Sequence, residues 1–397
     1  GAWRLARRPD EVELPTSVEG LLLARLDRLD EPHRELVQLA SVIGRRFPYP
    51  LLAEVYAGPT PLDTSLQRLV DLEVLQADHA DGDQAYRFRH ALLRNVAYAG
   101  ILYVQRRALH SRLARSIATG RPDRPDEQLA LLAWHYLHAE EWAPALDFHL
   151  RAADQAARRF ANRDALALYA TALTVAERLG GAQPAATDLP NRLAVIHERS
   201  GELQLLLGEY DAAEAHFRRA LAHVGAAASE PWLRLHRLLA SVEERRSHYA
   251  AAFEWLQIGL ARATSALRLE AARCYLLGAG IHFRQGAYTR AMEWATMGLR
   301  LAERIGSLAD QAHAFKLIGN LYRDQGDNLR AIEALESART RFARLNILSG
   351  QSDTLNNLGI LYTRLGRWPE TIASFEQSMQ LSESIGDVQA VARTANN

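Results

Sequence analysis

Five side chains near the end of the chain have the types and spacing to grip an extended peptide: Asn320, Arg323, Asn356, Asn357 and Arg364. An asparagine amide carries both a donor and an acceptor, so it can bridge a peptide backbone. Arg323 and Arg364, 41 residues apart, add charge beside them. The competing role for asparagines at such points is a bond to the neighbouring helix. A sixth residue, His90 in "YRFRHALLRNVAY", stands where a helix begins. Imidazole can donate to a phosphate oxygen, and helix-start amides point the same way. The plainer role is capping or packing at that start.

Other chemistry finds no frame. Lys plus Arg number 47, yet Lys316 is the single lysine, and it lies in "AHAFKLIGN". A phosphate-binding loop needs glycines followed by Lys and Ser or Thr. The chain alone is therefore expected neither to bind ATP at such a loop nor to hydrolyse it. No Ser/His/Asp or Cys/His set stands out, and the chain reads as not an enzyme. His135 and His138 are three apart with His149 nearby, but no further ligand has zinc-site spacing. Cys274 is the only cysteine, which excludes an internal disulfide and fits a reducing, cytoplasmic setting. Net charge is zero, with 47 acidic residues against 47 basic ones. No global field draws in nucleic acid or anionic membrane. No apolar run reaches the ~18 residues of a membrane span.

The elements that position the asparagines repeat themselves. Tyr210, Tyr249, Tyr288, Asn328 and Trp368 recur at steps of 39, 39, 40 and 40 residues. A turn residue lies just before each: Gly208, Ser247, Gly286, Gly326 and Gly366. Ala213, Ala252, Ala291, Ala331 and Thr371 follow three residues after, and Ala220, Gly259, Gly298, Ala338 and Ser378 seven later still. Upstream, Gly201, Ala240, Ala279, Gly319 and Gly359 form another small column. A fixed period of this size predicts a solenoid, each unit two helices joined by a tight turn. Small columns let facing helices approach, and stacked pairs cover apolar faces that one pair cannot bury alone. Gly306, Asn346 and Gly386 read as left-handed caps ending second helices. The asparagines then fall on first helices, along the inner side of the array.

Upstream, helices are expected from residue 18 onward, capped by Thr16 or Ser17, then from Pro32, over 47–56 and over 61–72. "EVLQAD" and "AYRFRH" flank "HADGD" and read as two strands and a turn. One long helical region, 91–118, follows. Three or four helices and a hairpin make the winged-helix arrangement. DNA reading by it is not expected, although Gln67 and Arg68 lie on the candidate helix. Asp63 and Asp71 share that helix, and Asp78, Asp81 and Asp83 in the wing repel phosphate. The expected organisation is 1–17 as the tail of an upstream module, 18–118 as the winged helix, 119–126 as a linker, and 127–397 as the array. Both ends read as cut. The chain starts at Gly1, and Asn396 and Asn397 align 40 residues after Asn356 and Asn357.

The segment "NNLGILYTRLGRWPETIASFEQSMQLSESIGD" resembles the tetratricopeptide repeat, in a variety longer than the usual ~34 residues. "LPTSVEGLLLARLDRLDEPHRELVQLASVIGRRFPYPLLAEVY" and "YRFRHALLRNVAYAGILYVQRRALHSRLA", covering about residues 3–118, resemble the region after the ATPase core in signal-transduction ATPases with numerous domains. The similar groups are soluble adenylyl-cyclase-like proteins and large ATP-binding LuxR-type regulators. That resemblance implies a mainly α chain, a winged helix followed by a right-handed repeat superhelix. It implies a sensor that binds a protein, peptide or small effector and relays it to an ATPase domain of the same protein. ATP or ADP and Mg would belong to that domain, with none in this chain. It also implies that His90, with Arg89 and Arg94 beside it, reaches the phosphates of ADP on that domain. In several repeat families, first-helix asparagines contact bound peptide. The alternative is a scaffold for complex assembly with no nucleotide switch.

Overall fold

The computed structural model describes residues 18–78, 84–120, 128–182 and 188–397. The proposed upstream tail with its caps Thr16 and Ser17, the turn holding Asp81 and Asp83, and most of the 119–126 linker lie outside them. The chain divides into two compact units, Gly1–Thr187 and Asp188–Asn397.

The first unit opens with α1 (Val18–Asp27) and α2 (Glu31–Ile43), then β1 (Arg46–Pro48), α3 (Tyr49–Val55) and α4 (Leu62–Asp71). Next come β2 (Leu75–Asp78), β3 (Ala85–Phe88), α5 (Ala91–Ala99) and α6 (Tyr103–Gly120). Asp30 caps α2 by accepting from the His33 backbone N–H, which satisfies one of its orphan donors. The strands form an antiparallel sheet in the order β1–β3–β2, with Phe47 and Ala77 both opposite Tyr86. Strand β1 corrects the expected helix over 47–56. Its three residues are too few to show a period, and Phe47 is drawn into the core beside Phe88. The expected long helix over 91–118 is two helices. Gly100 ends α5, Ile101 is buried, and its carbonyl accepts from Arg106 Nη2 at 3.0 Å. Three further helices complete the unit: α7 (Leu129–His138), α8 (Trp142–Arg158) and α9 (Asn162–Ala182).

The second unit is a stack of helix pairs, and the mainly α repeat superhelix expected from the period is its architecture. First helices are α10 (Leu189–Leu206), α12 (Glu230–Arg245), α14 (Arg268–Arg284), α16 (Leu308–Asp324) and α18 (Leu348–Arg364). Second helices are α11 (Tyr210–Val224), α13 (Tyr249–Ala261), α15 (Tyr288–Arg304), α17 (Asn328–Arg344) and α19 (Trp368–Ser384), and α20 (Val388–Ala395) follows. The column running from Tyr210 to Trp368, aromatic except at Asn328, supplies the first residue of every second helix. Every residue of the three small columns is buried. A Cβ on Gly359 would stand 2.5 Å from the Phe375 ring, so the pair closes only without one. The turn column takes positive φ throughout, including Ser247 at 64°, which pays a steric cost the glycines avoid. Among the described residues no helix is long and apolar enough to cross a membrane.

Candidate functional site

Each first helix packs on its own second helix and also touches the next first helix along the stack. The first helices therefore make one continuous wall. Their small column faces the second helices: a Cβ on Gly201 would meet Phe217 at 2.6 Å. One residue further, about 100° round the helix, the side chains turn to the open side. Ser241, Gly280 and Asn320 occupy that register, and a Cβ on Gly280 would meet nothing within 4 Å.

Ion pairs cross this wall from helix to helix. Arg234 of α12 donates to Glu198 of α10 through Nε (2.6 Å) and Nη2 (3.1 Å). Arg237 Nε donates to Glu270 of α14 at 3.0 Å, and Arg273 Nη1 donates to the same carboxylate at 2.9 Å. Arg273 Nε continues to Asp310 of α16 at 3.1 Å. Lys316 and Arg393 meet Asp353 of α18 at 3.1 and 2.8 Å. Glu270 is wholly buried. A buried carboxylate is costly unless paired and hydrogen-bonded, so its two arginines are held where they stand. At the middle of the wall lies a concavity of about 430 Å³, lined by Arg237, Ser241, Arg273, Asp310 and His313 beside Leu277. Arg237 spends only Nε on Glu270, which leaves its two terminal nitrogens as donors.

The asparagines predicted to line the groove part company. Asn320 keeps the inner register, half-buried, and its Oδ1 is buried without a hydrogen-bond partner. Asn357 Oδ1 accepts from Arg323 Nη1 at 3.3 Å, and Arg364 Nη1 donates to the Arg323 carbonyl at 3.1 Å. Those three join α16 to α18 along the wall. Asn356 is 5% exposed, and its Oδ1 accepts from Asn397 Nδ2 at 2.9 Å. Against the expectation of an open groove position, Asn356 is a buried strut to Asn397, just past α20. One residue of helix rotation separates it from Asn357.

In the first unit, His90 is the N-cap residue of α5. It is exposed, and its side chain makes no capping bond. Arg94 Nε is committed to the Ser41 carbonyl at 2.8 Å, and Arg89 faces Glu73 at 3.4 Å. Asp78 pairs with Arg46 at 3.1 Å. His135 and His138 both gather on His110, the His138 ring stacked on it with centroids 5.0 Å apart, and His149 stands outside that group. His135 Nδ1 stands 3.0 Å from Nδ1 of His110, and the Nδ1 atoms of His138 and His149 bond the carbonyls of Trp134 and Ala145. In the second unit, His197 faces His216 in the same way at 2.9 Å. Burial, first of all, holds the imidazoles of His110, His135 and His197 down at about 3, 4 and 4.

Sequence reading missed the ion-pair wall and both histidine pairs. A signal for the wall exists: opposite charges recur 33, 36 and 37 residues apart, slightly under one repeat. The His110–His135 pair spans 25 residues and matches no period.

Residues 352–385 match a family model described as tetratricopeptide repeat. Over 108 residues the chain is 31% identical to an uncharacterized protein of Rhizobium meliloti (strain 1021). That match covers 27% of this chain and 10% of the relative's length. Among solved structures, the chain is similar to BtubC from P. vanneervenii, with 20% identity over 57% of this chain and 92% of that one, TM-score 0.47. It is similar to a Rap protein complexed with competence and sporulation factor, with 14% identity over 74% and 75%, TM-score 0.48. It is also similar to a signal-transduction ATPase with numerous domains bearing a tetratricopeptide repeat sensor, from Pyrococcus horikoshii. Identity there is 11% over 97% of this chain and 65% of that one, TM-score 0.42. Tetratricopeptide-type repeats are thus present in this chain.

Proposed function

We propose that this chain is the sensing and relay part of a multidomain signalling ATPase. The repeat array takes a protein, peptide or small effector on the wall of first helices. Residues 18–118, read as a winged helix, pass that state to an ATPase domain of the same protein. The observation that carries the binding half is the open wall itself. Arg237, Arg273, Asn320 and Asn357 present polar groups on a face that lies outside the core columns.

The winged-helix half draws support from the order helix, strand, helix, helix, strand, strand over α2 to β3, and from the sheet order β1–β3–β2. In this reading ATP or ADP and Mg belong to the ATPase domain, and exposed His90 is the group that meets nucleotide phosphate across the domain contact. The chain itself carries out no reaction, works in the cytoplasm, and has no specific nucleic acid or membrane as partner.

A displayed random-dodecapeptide library, selected on the chain, tests the groove. Enriched peptides should lose about tenfold in affinity, roughly 1.4 kcal/mol, when Asn320→Ala and Asn357→Ala are combined, and none with His90→Ala. Peptides that ignore both asparagines would move the effector off this wall. A selection with no enrichment would favour the scaffold reading, in which large folded partners dock elsewhere.

A further inference from the structure

A second concavity, of about 380 Å³, lies in the first unit, where the end of α1 meets the start of α2 and the face of α4. Its wall holds three guanidinium groups, Arg25, Arg28 and Arg68, together with His33, over an apolar floor that includes Leu29 and Val74. Arg25 is anchored: Nη2 donates to the Leu72 carbonyl at 2.6 Å, with Glu73 3.9 Å away. Arg28 and Arg68 are exposed, and among the described residues neither guanidinium has a hydrogen bond or an ion pair. The one carboxylate lining the cavity, Asp30, is already engaged. It accepts from the His33 backbone N–H at 3.3 Å and contacts His33 Nδ1. Asp30 is exposed and keeps its charge, yet it and the Glu73 beside Arg25 offset only two of the three guanidinium charges, which leaves an excess of positive charge on the cavity wall.

Uncompensated arginines drawn to one concavity repel each other unless an anion joins them. Guanidinium forks match carboxylate and phosphate oxygens alike. Three of them exceed what one carboxylate neutralises and suit a group with two negative charges and three acceptor oxygens. We propose that this cavity is an anion subsite taking a phosphoryl group, with Arg25 as the fixed contact and Arg28 and Arg68 as the closing ones. The site is independent of the repeat wall and of His90, so it stands or falls apart from the reading above.

Calorimetric titration of the full chain with sodium pyrophosphate at low ionic strength tests it. Saturable binding is expected, weakened about tenfold or more when two charge-assisted contacts are removed by Arg28→Gln with Arg68→Gln. Both residues are exposed and unpaired, so the melting temperature should hold. Arg159→Gln with Arg344→Gln, two exposed arginines elsewhere, should leave binding unchanged. Equal loss with that control pair, no loss with the cavity pair, or no saturable binding overturns the proposal. Malonate binding as tightly as pyrophosphate overturns the phosphoryl assignment. ATP and inorganic phosphate, titrated in parallel, identify the source: tighter binding of ATP marks a nucleotide tail, and equal binding marks a free phosphate. Duplex DNA that binds through the same two arginines while pyrophosphate does not would replace the small anion with a nucleic acid backbone and overturn it.

Discussion

From Val18 to Gly120 the core is built of large side chains brought together from distant parts of the chain. Phe47, Leu52, Leu66, Phe88 and Leu93 are all fully or almost fully buried, and they come from two strands and three helices. From Leu189 to Ala395 the core sets columns of alanine and glycine against larger residues such as Phe217, Leu256, Leu335 and Phe342. Polar groups differ as well. The array buries acids such as Glu270 and Asp310 and answers them with arginines from the neighbouring first helix. The first unit keeps three arginines around one engaged aspartate. The difference teaches where a lesion should spread. A repeat touches only its neighbours, so damage there stays local, whereas a single mixed core fails as a whole.

The largest expected effect is Phe88→Ala. Removing a fully buried phenyl that packs against Phe47 should cost about 4 kcal/mol. Hydrogen exchange should show protection lost across α2, α4 and α5 together, with the array untouched. Loss confined to β3 would mean the first unit is not one cooperative core.

A smaller and more local loss is expected from Glu270→Ala in the array. Truncating one member of a buried charged cluster costs about 2 to 5 kcal/mol, and the lower end applies because Arg237 and Arg273 are partly exposed. Protection should fall in α12, α14 and α16 and persist in α18 and α19. Uniform loss through the array would show coupling beyond nearest neighbours.

The smallest contrast is expected on acidification, because both units bury a histidine pair. His110, His135 and His197 have native values of about 3, 4 and 4, below the ~6.5 of an unfolded chain. The unfolded state binds protons first. The contribution is therefore complete above about pH 6.5 and is lost as pH falls toward 4, by at most ~1.4 kcal/mol per pH unit and histidine. Melting temperatures should drop from pH 7 to pH 5 in both units. His110→Gln with His197→Gln should flatten that slope, and an unchanged slope would mean the pairs are not what titrates.

Legibility followed the range of the interactions. The positions of the second helices, their turns and their buried columns could be read directly, because Tyr210, Gly286 and Ala338 each do a job that recurs at one period. The hairpin strands were readable from alternation and a Gly-containing turn. Strand β1 was not, since three residues hold no period and only its pairing with β3 makes it a strand.

The candidate sites divide along the same line. Residue type and period alone place Asn320, Asn356 and Asn357 on first helices and His90 at a helix start. They do not say that Asn356 is a strut and Asn357 a wall residue, because a single step of helix rotation separates a bond to Asn397 from one to Arg323. Nor do they pair His110 with His135, or gather Arg25, Arg28 and Arg68 at one cavity. Local propensity and repeat spacing act along the chain, and the sequence displays them. Charge pairing, burial and cavities act across space, between residues whose separation in sequence carries no rule, and only the packed structure decides them.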